Sequence, residues 1–322
     1  MQKLASLLIG FAIGLAAVFP AQAQAPYPNR PIRIVVPFGP GGFADITVRL
    51  LGQKLTERIG AQIVVENRPG AGGIVAANSV IASPPDGYTL FLFSSGIALS
   101  KSLLKSMPFD PATAFSPIST MALFDLLLLV KDDSPIHTLK DALETARRDP
   151  QKFNLGTINP GSTQNVTGEL LRSAAGIPMT IIPHRTSGDV LTALLRGDIQ
   201  IGIDSYAALK SAIDAKTIRA IASSGSKRSP LQPDVPTLRE LGLDATVDGW
   251  NSLVAPAGTP KEIIAYLNGE LRAIINDTDF KTRMIELGGE PAACSPEELD
   301  ARLKSDVEMW AGVVKKAGLE PN

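Results

Sequence analysis

The chain has 322 residues, and its 31 basic and 32 acidic side chains give a formal net charge of −1. This length suits two domains of ordinary size. The balanced charge argues against a nucleic-acid partner, which usually needs a basic surface or a high pI.

The single cysteine, Cys294, excludes an intrachain disulfide and is expected to be structural. His137 and His184 are far apart and give no metal-ligand spacing, so we predict neither a metal nor a cofactor.

The first residues have the pattern of a secretory signal peptide. A basic residue precedes an apolar run over residues 4–18, and the small-residue motif Ala21-Gln22-Ala23 follows it. The run is shorter than the roughly 20 residues that a membrane span needs, although a retained anchor is the alternative. We predict a signal peptide over residues 1–23, cleavage after its last residue, and a mature protein in the periplasm.

After this segment, apolar strand patterns alternate with helical patterns. The first unit is predicted to contain strands at 31–38, 62–68 and 89–95 and helices at 43–59 and 74–82. The second is predicted to contain strands at 126–133, 153–157, 179–184, 198–204 and 218–224 and helices at 138–150, 162–175, 188–195 and 206–215. Helices at 261–275, 280–287 and 296–317 complete the chain. Strands without polar–apolar alternation, separated by helices, favour parallel sheets covered on both faces.

The C-terminal helices are long enough to return to the first unit. We therefore predict an α/β fold in which lobe 1 comprises residues 24–124 and 248–322 and lobe 2 comprises residues 125–247. Two crossing strands would join these lobes and leave a ligand cleft between them. The alternative is two sequential domains followed by a helical tail.

Loops rich in glycine and hydroxyl groups follow three of the predicted strands: "FGPGG" at 38–42, "SSG" at 94–96 and "TINPGSTQN" at 157–165. In α/β sheets, ligands bind beyond the carboxyl ends of strands, where the unpaired N–H groups of a helix N-terminus can hold an anion. None of the loops is a Walker or dinucleotide motif. The alternative is a set of tight turns and helix caps. The candidate ligand-binding residues are Phe38, Gly41, Gly42, Ser94, Ser95, Gly96, Thr157, Gly161, Ser162, Thr163 and Gln164.

Several blocks resemble one known family along nearly the whole mature chain. They are "YPNRPIRIVVPFGPGGFADITVRLLGQKL", "VVENRPGAGGIVAANSVIASPPDGYTL", "SKRSPLQPDVPTLRELGL", "LVAPAGTPKEIIAYLNGELRAI" and "MWAGVVKKAGLEPN". They look like the Bug family, the periplasmic substrate-binding proteins of tripartite tricarboxylate transporters. The resemblance implies a type II periplasmic-binding-protein fold and capture of small organic acids by backbone amides and ordered water. It adds Asp45, at the start of the first helix, and Asp204, at a strand end in lobe 2, to the candidates; a cap is the alternative role for Asp204.

Three positions depart from the family's usual pattern. Phe43 replaces a small residue, "PHRTSG" around His184 replaces a Tyr-Lys-Gly segment, and Asp125 stands where an uncharged residue is usual. We add all three to the candidate site. The Phe43 ring would favour an aromatic ligand, and Asp125 would favour an amino group, over a compact tricarboxylate. Simple packing of Phe43, and a hinge cap or a solvent-exposed position for Asp125, are the alternatives.

These observations predict a monomeric binding protein that delivers a dicarboxylate, an amino acid or an aromatic carboxylate to the membrane subunits of a transporter. A ligand-binding component of a sensory system would need the same two-lobed fold and is the first alternative. A secreted hydrolase is the second, with Ser162 and His184 as the conceivable pair. The chain has no Gly-x-Ser-x-Gly motif and no paired acids, so an enzyme is not predicted.

Overall fold

A computed structural model describes residues 26–104 and 106–316, which form two α/β lobes, each built around its own β-sheet. The predicted signal peptide lies outside the described residues. Lobe 1 here means the part of the chain around the six-stranded sheet, and lobe 2 the part around the five-stranded sheet. The residue boundaries between them given above stay a prediction.

The sheet of lobe 1 takes its strands from both ends of the chain. The strands are β1 (Ile32–Val36), β2 (Ile63–Asn67), β3 (Thr89–Ser94), β4 (Phe115–Phe124), β10 (Gly249–Pro256) and β11 (Gly289–Pro291). Their order is β11-β4-β10-β3-β1-β2, with β2, β1 and β3 parallel and the β10–β3, β10–β4 and β11–β4 pairs antiparallel. The fully buried β3 reads as a continuous apolar run because helices cover both faces of its sheet.

Along the chain, the strands of lobe 2 fall between the two segments that form lobe 1. These strands are β5 (Leu127–Lys131), β6 (Asn154–Ile158), β7 (Thr180–His184), β8 (Ile201–Asp204) and β9 (Ile218–Ser223). Their order is β7-β6-β8-β5-β9, with β7, β6 and β8 parallel and β5 antiparallel to both of its neighbours.

Helices cover both sheets. They are α1 (Phe43–Ile59), α2 (Ile74–Ile81), α3 (Ser95–Leu103), α4 (Leu139–Arg148), α5 (Thr163–Ala175), α6 (Ser187–Arg196), α7 (Tyr206–Asp214), α8 (Lys261–Ile275), α9 (Thr278–Glu286) and α10 (Pro296–Lys316). The last of these contacts both lobes. Leu299 and Leu303 belong to the core of lobe 1, whereas Trp310 and Val314 belong to the core of lobe 2.

The prediction of parallel sheets is confirmed for β2-β1-β3 and β7-β6-β8, but both sheets are mixed, because the pairs that involve β4, β10, β11 and β5 are antiparallel. A strand that leaves one lobe and a strand that returns to it must run in opposite directions, so β4 and β10 pair antiparallel. The sequence reading also missed β4 itself and α3, because neither has the clear apolar periodicity of its neighbours. The last turns of α10 pack on lobe 2 rather than returning wholly to the first unit.

The two segments that cross between the lobes, at residues 124–126 and 247–250, are bridged beyond the end of the β4–β10 ladder by the buried Ser224. Ser224 accepts a hydrogen bond from the Leu126 backbone N–H at 3.0 Å and donates one to the Val247 carbonyl at 2.9 Å. Its own carbonyl accepts from the Val247 N–H at 2.8 Å. Since Leu126 belongs to the first crossing and Val247 to the second, Ser224 fixes their spacing.

The lobes approach each other closely at Gly96. An ideal Cβ on Gly96, at the start of α3, would lie 2.5 Å from the Gly161 carbonyl oxygen and 2.7 Å from the Thr163 nitrogen. Real Cβ atoms do not approach backbone atoms so closely. The first turn of α3 therefore packs directly on the loop that opens α5 because position 96 has no side chain.

We expect Gly96→Val to hold the lobes apart. The obstructing atoms are backbone, so relief requires separation of the lobes, at a cost of about 1–3 kcal/mol for overpacking. Small-angle scattering should give a larger radius of gyration than the unmodified protein. Gly269→Val is the matched control, since Gly269 is a helical glycine with open space around its Cβ position. Superimposable curves for Gly96→Val and the unmodified protein would contradict the expectation.

Candidate functional site

The first turn of α1 begins directly beyond the buried strand β1. Its N-cap is Gly42, which has extended backbone angles and no side chain to cap the helix. The first-turn N–H groups of a helix have no acceptor within the helix and carry partial positive charge. Gly42, Phe43 and Ala44 border a small cavity between the lobes, so this first turn faces the cleft.

The loop before α1 is ordered by Asp45. This carboxylate accepts hydrogen bonds from the Gly41 N–H at 3.0 Å, from Arg49 Nε at 2.9 Å and from Asn67 Nδ2 at 2.9 Å. Burial opposes its ionisation, but the hydrogen bonds outweigh burial and hold the pKa of Asp45 below its ordinary value. Asn67 also donates to the Phe38 carbonyl at 3.0 Å, which ties β2 to the loop.

The helices α3 and α5 also begin at this cavity. Ser94, the N-cap of α3, makes no side-chain capping bond, whereas Ser162 caps α5 by accepting from the Asn165 N–H at 3.0 Å. The hydroxyls of Ser95 and Thr163, each the first residue of its helix, lie 3.2 Å apart and join the lobes. Three helix N-termini therefore converge on the cleft.

The cavity enclosed by these helix starts is small, at about 20 Å³, which is room for about one water molecule. Binding of an organic molecule therefore requires the lobes to move apart. The lining residues are Phe38, Gly42, Phe43, Ala44, Ser94, Phe124, Ile158, Thr163, Gln164 and Asn251. None of these lining side chains is charged, so any charge placed there meets only backbone dipoles, amides and hydroxyls.

Asn251 is a lining residue that the sequence reading missed. It is 1% exposed, and neither atom of its amide has a hydrogen-bond partner in the protein. The Ser94 hydroxyl, also 1% exposed and lining the cavity, has none either. The signal that could have identified Asn251 is a polar amide within the mostly apolar strand pattern "WNSLVAP".

A buried carboxyl orients the amide of Gln164. Asp204 Oδ1 accepts from Gln164 Nε2 at 3.1 Å and from the Ser205 N–H at 2.8 Å. Burial raises the pKa of Asp204, and the nearby Ser187 hydroxyl together with these two donors limits the rise. Asp204 does not itself border the cavity but contacts Gln164, which does.

A larger groove of about 700 Å³ lies elsewhere, between α10, the end of α5 and the second crossing. Its lining carries the carboxylates of Asp244, Asp248 and Asp306 against the single cation of Arg302. Three carboxylates would repel an anion, so this groove does not fit the organic acids expected from the sequence.

Across residues 26–104 and 106–316, no cluster of three or more metal-ligating side chains is found. Within the same ranges, no helix combines the length and the apolar character that a membrane crossing requires.

Residues 47–319 match the family described as the tripartite tricarboxylate transporter family receptor, TctC. The chain belongs to the TctC family. Members of this family are receptors that bind a substrate and are not enzymes.

Relatives support this membership along nearly the full length. A protein from Pseudomonas sp., described as a UPF0065 protein in the tcbD-tcbE intergenic region, is 32% identical over 94% of this chain and 90% of its own. Among solved structures, the periplasmic binding protein BugD has a TM-score of 0.87 and 32% identity, covering 92% of this chain and all of BugD. The two-lobed fold expected from the sequence is thus confirmed.

Two further solved TctC-like structures contain ligands. Rpa4515 of R. palustris, with adipate, has a TM-score of 0.87 and 32% identity over 92% of this chain and 100% of that one. MatC from Rhodopseudomonas palustris, with bound malate, has a TM-score of 0.85 and 29% identity over 89% of this chain and 100% of that one.

The candidate residues divide into two groups. Those that border the cavity are Phe38, Gly42, Phe43, Ser94, Thr163 and Gln164. Those that do not are Gly41, Asp45, Ser95, Gly96, Asp125, Thr157, Gly161, Ser162, His184 and Asp204. Ser95, Gly96 and Gly161 instead bring the lobes together, and the Thr157 hydroxyl accepts from Asn165 Nδ2 at 3.3 Å. Whether the first group binds a ligand stays a prediction.

Three candidates of the second group have surroundings that differ from those of the cavity wall. Gly41 does not offer its N–H to the cleft, because that N–H donates to Asp45. Asp125 lies at the first crossing, where it accepts from the Ser223 hydroxyl at 2.5 Å, rather than lining the cavity. His184 also lies outside the lining, and burial lowers its pKa, which favours the neutral ring.

The Phe43 ring contacts protein on more than one side. Its centroid lies 4.6 Å from that of Phe124, and an ideal Cβ on Gly289 would lie 2.8 Å from a ring atom. The residue is 3% exposed. The ring extends from the start of α1 and packs against β4 at Phe124 and β11 at Gly289, and only part of it borders the cavity.

We expect Asp45→Asn to destabilise the fold in a pH-dependent way. Because the folded pKa is depressed, the ionised carboxylate stabilises the fold above its ordinary value of 3.8, and this contribution is lost as pH falls through the folded pKa. At pH 7 the free energy of unfolding should fall by about 1.5–3 kcal/mol, with the difference shrinking in acid. Urea unfolding at pH 7 and in acid measures the difference and its pH dependence. Asp300→Asn, at a partly exposed aspartate of α10, is the control. A pH-independent difference would contradict this account.

Asp125→Asn should have the opposite effect on stability. Burial raises the pKa of Asp125, so its contribution is full below 3.8 and is lost as pH rises through the folded pKa. The amide keeps an acceptor for Ser223 without a charge beside Asp248, so the free energy of unfolding at pH 7 should increase. Thermal unfolding between pH 4 and pH 8 tests this. A variant that is less stable throughout that range would contradict it.

Proposed function

We propose that this protein is a periplasmic solute-binding protein that captures a small organic carboxylate and presents it to the membrane subunits of a tripartite tricarboxylate-type transporter. One observation carries the proposal: the N-termini of α1, α3 and α5 converge on an uncharged cavity between two lobes. The TctC family membership supports the transport role.

The convergent helix starts suit a carboxylate. A carboxylate has two oxygens that accept hydrogen bonds, and the first-turn N–H groups around Phe43 and Thr163 donate from opposite lobes. Hydrogen bonds to an ionised acceptor are stronger than neutral ones, and the helix dipoles add to them. A lysine or arginine is therefore not needed to hold the charge.

Binding would be coupled to closure of the lobes. Thr163 and Gln164 belong to lobe 2, whereas Gly42 and Ser94 belong to lobe 1, so a ligand that contacts both sets bridges the cleft. A ligand that binds the closed form better than the open form shifts the population toward closure. The closed form would then be the one that the membrane subunits recognise.

The class of ligand is supported by the structural neighbours. Rpa4515 is described with adipate and MatC with bound malate, which are both small carboxylates. The signal-peptide pattern at residues 1–23 supports a periplasmic location for the mature chain, which we propose to be a monomer.

The proposal predicts that small carboxylates raise the melting temperature of the protein. A ligand at 100 times its Kd should add about 2.7 kcal/mol of stability. A thermal-shift panel of mono-, di- and tricarboxylates, with the corresponding methyl esters as uncharged controls, tests this. If no carboxylate in the panel gives a larger shift than its ester, the proposal is wrong.

A matched pair of variants tests the role of backbone donors. Thr163→Pro removes both the hydroxyl and the N–H at the first position of α5, where a helix tolerates proline. Because Gly96 packs against the Thr163 nitrogen, the comparison requires a proline variant whose radius of gyration matches that of the unmodified protein. Thr163→Val removes the hydroxyl alone. The proline variant should bind the best carboxylate of the panel roughly 10- to 100-fold more weakly than the valine variant, as expected for one charge-assisted hydrogen bond. Equal affinities would exclude this N–H as a donor.

A further inference from the structure

Asn251 and Ser94 form a polar pair on the lobe 1 wall of the cavity. They are direct partners in the antiparallel β10–β3 ladder, so their side chains share one face of the sheet. The β10–β4 ladder shifts register between Asn251 and Ser252. Such irregularities re-aim side chains, and here the residue at the shift borders the cleft.

The pair has hydrogen-bonding capacity that the protein does not use. The Asn251 amide offers one acceptor oxygen and two donor hydrogens, and neither Oδ1 nor Nδ2 has a partner. Leaving such groups buried and unpaired is costly, and an apolar side chain of the same shape would fold more favourably.

Other buried polar side chains of lobe 1 are satisfied. Ser252, next to Asn251 in β10, donates to the Phe93 carbonyl at 3.2 Å. Asn268 donates to the carbonyls of Ile118 and Cys294, both at 2.8 Å. Among the described residues of lobe 1, the buried side-chain atoms without a partner are therefore those of Asn251 and Ser94, and both residues border the cavity.

We propose that the ligand carries, in addition to the carboxylate, a carboxamide that pairs with Asn251. This inference rests on the proposed function, because it concerns the second polar group of the same ligand. Two carboxamides can exchange a pair of hydrogen bonds, N–H to oxygen in each direction, which satisfies Oδ1 and one donor of Asn251 together. The Ser94 hydroxyl supplies the next donor or acceptor for the same group.

A second charged group fits this wall less well. A carboxylate only accepts, so it would pair with Nδ2 and leave Asn251 Oδ1 unpaired beside a negative charge. No cationic side chain borders the cavity to neutralise it. An ammonium group only donates, so it would leave Nδ2 unpaired. A neutral group that both donates and accepts satisfies both atoms.

Diacids and their own monoamides test the inference, because each pair is nearly isosteric. Isothermal titration should compare succinate with succinamate, glutarate with glutaramate, and adipate with adipamate. In the pair that binds best, the monoamide should bind at least roughly tenfold more tightly than the diacid, because Asn251 Oδ1 then receives a hydrogen bond. Equal or tighter binding of the diacid in that pair overturns the inference.

Asn251→Leu separates a recognition role from a structural one. The preference for the monoamide should fall to within about twofold, while the melting temperature without ligand is kept or raised, because a stranded amide is removed. Ser252→Ala is the matched control: it loses a satisfied hydrogen bond on the same strand and should keep the preference. If the preference survives Asn251→Leu, another residue is responsible and the assignment is wrong.

The outcomes also separate this inference from the proposed function. Binding of diacids without preference for the monoamides overturns the inference and leaves carboxylate capture standing. If other carboxylates bind but no diacid or monoamide of the three pairs does, the inference is overturned as well. If no carboxylate binds at all, both fail.

Discussion

The first turns of three helices leave backbone N–H groups without intrahelical acceptors, and the fold brings these turns together in one cleft. Much of the surrounding architecture serves that placement. Gly96 allows α3 to touch the loop that opens α5, Asp45 holds the loop before α1, and Ser224 fixes the distance between the crossings. The positive ends of the helices can then face a common anion.

The buried polar residues around the cleft differ in their hydrogen bonding. Asp45, and Oδ1 of Asp204, accept hydrogen bonds that keep a loop and the Gln164 amide in place. Ser94 and Asn251 are equally buried but unpaired. Since an unpaired buried group reduces stability, its position on the cleft wall indicates a group retained for recognition rather than for folding.

The connection between the lobes is more than two strands. The indole of Trp250, on the second crossing, donates to Asp306 of α10 at 2.6 Å, and burial raises the pKa of that carboxyl. The same helix then places Trp310 in the core of lobe 2. Movement of the lobes must therefore be accommodated by α10 as well as by the crossings, which restricts the directions in which the cleft can open.

Local sequence determined most of the helices and strands and the loops that border the cavity. The helical period and its glycine borders predicted α1 as the structure has it, and strand ends followed by glycine or hydroxyl residues identified Gly42 and Thr163. These features depend on neighbours in the chain. The tertiary structure alone decided that β4 and β10 pair antiparallel, that Asp125 bonds to Ser223, and that Asn251 faces the cavity. Each of these depends on partners about 100 residues or more away, which no local pattern encodes.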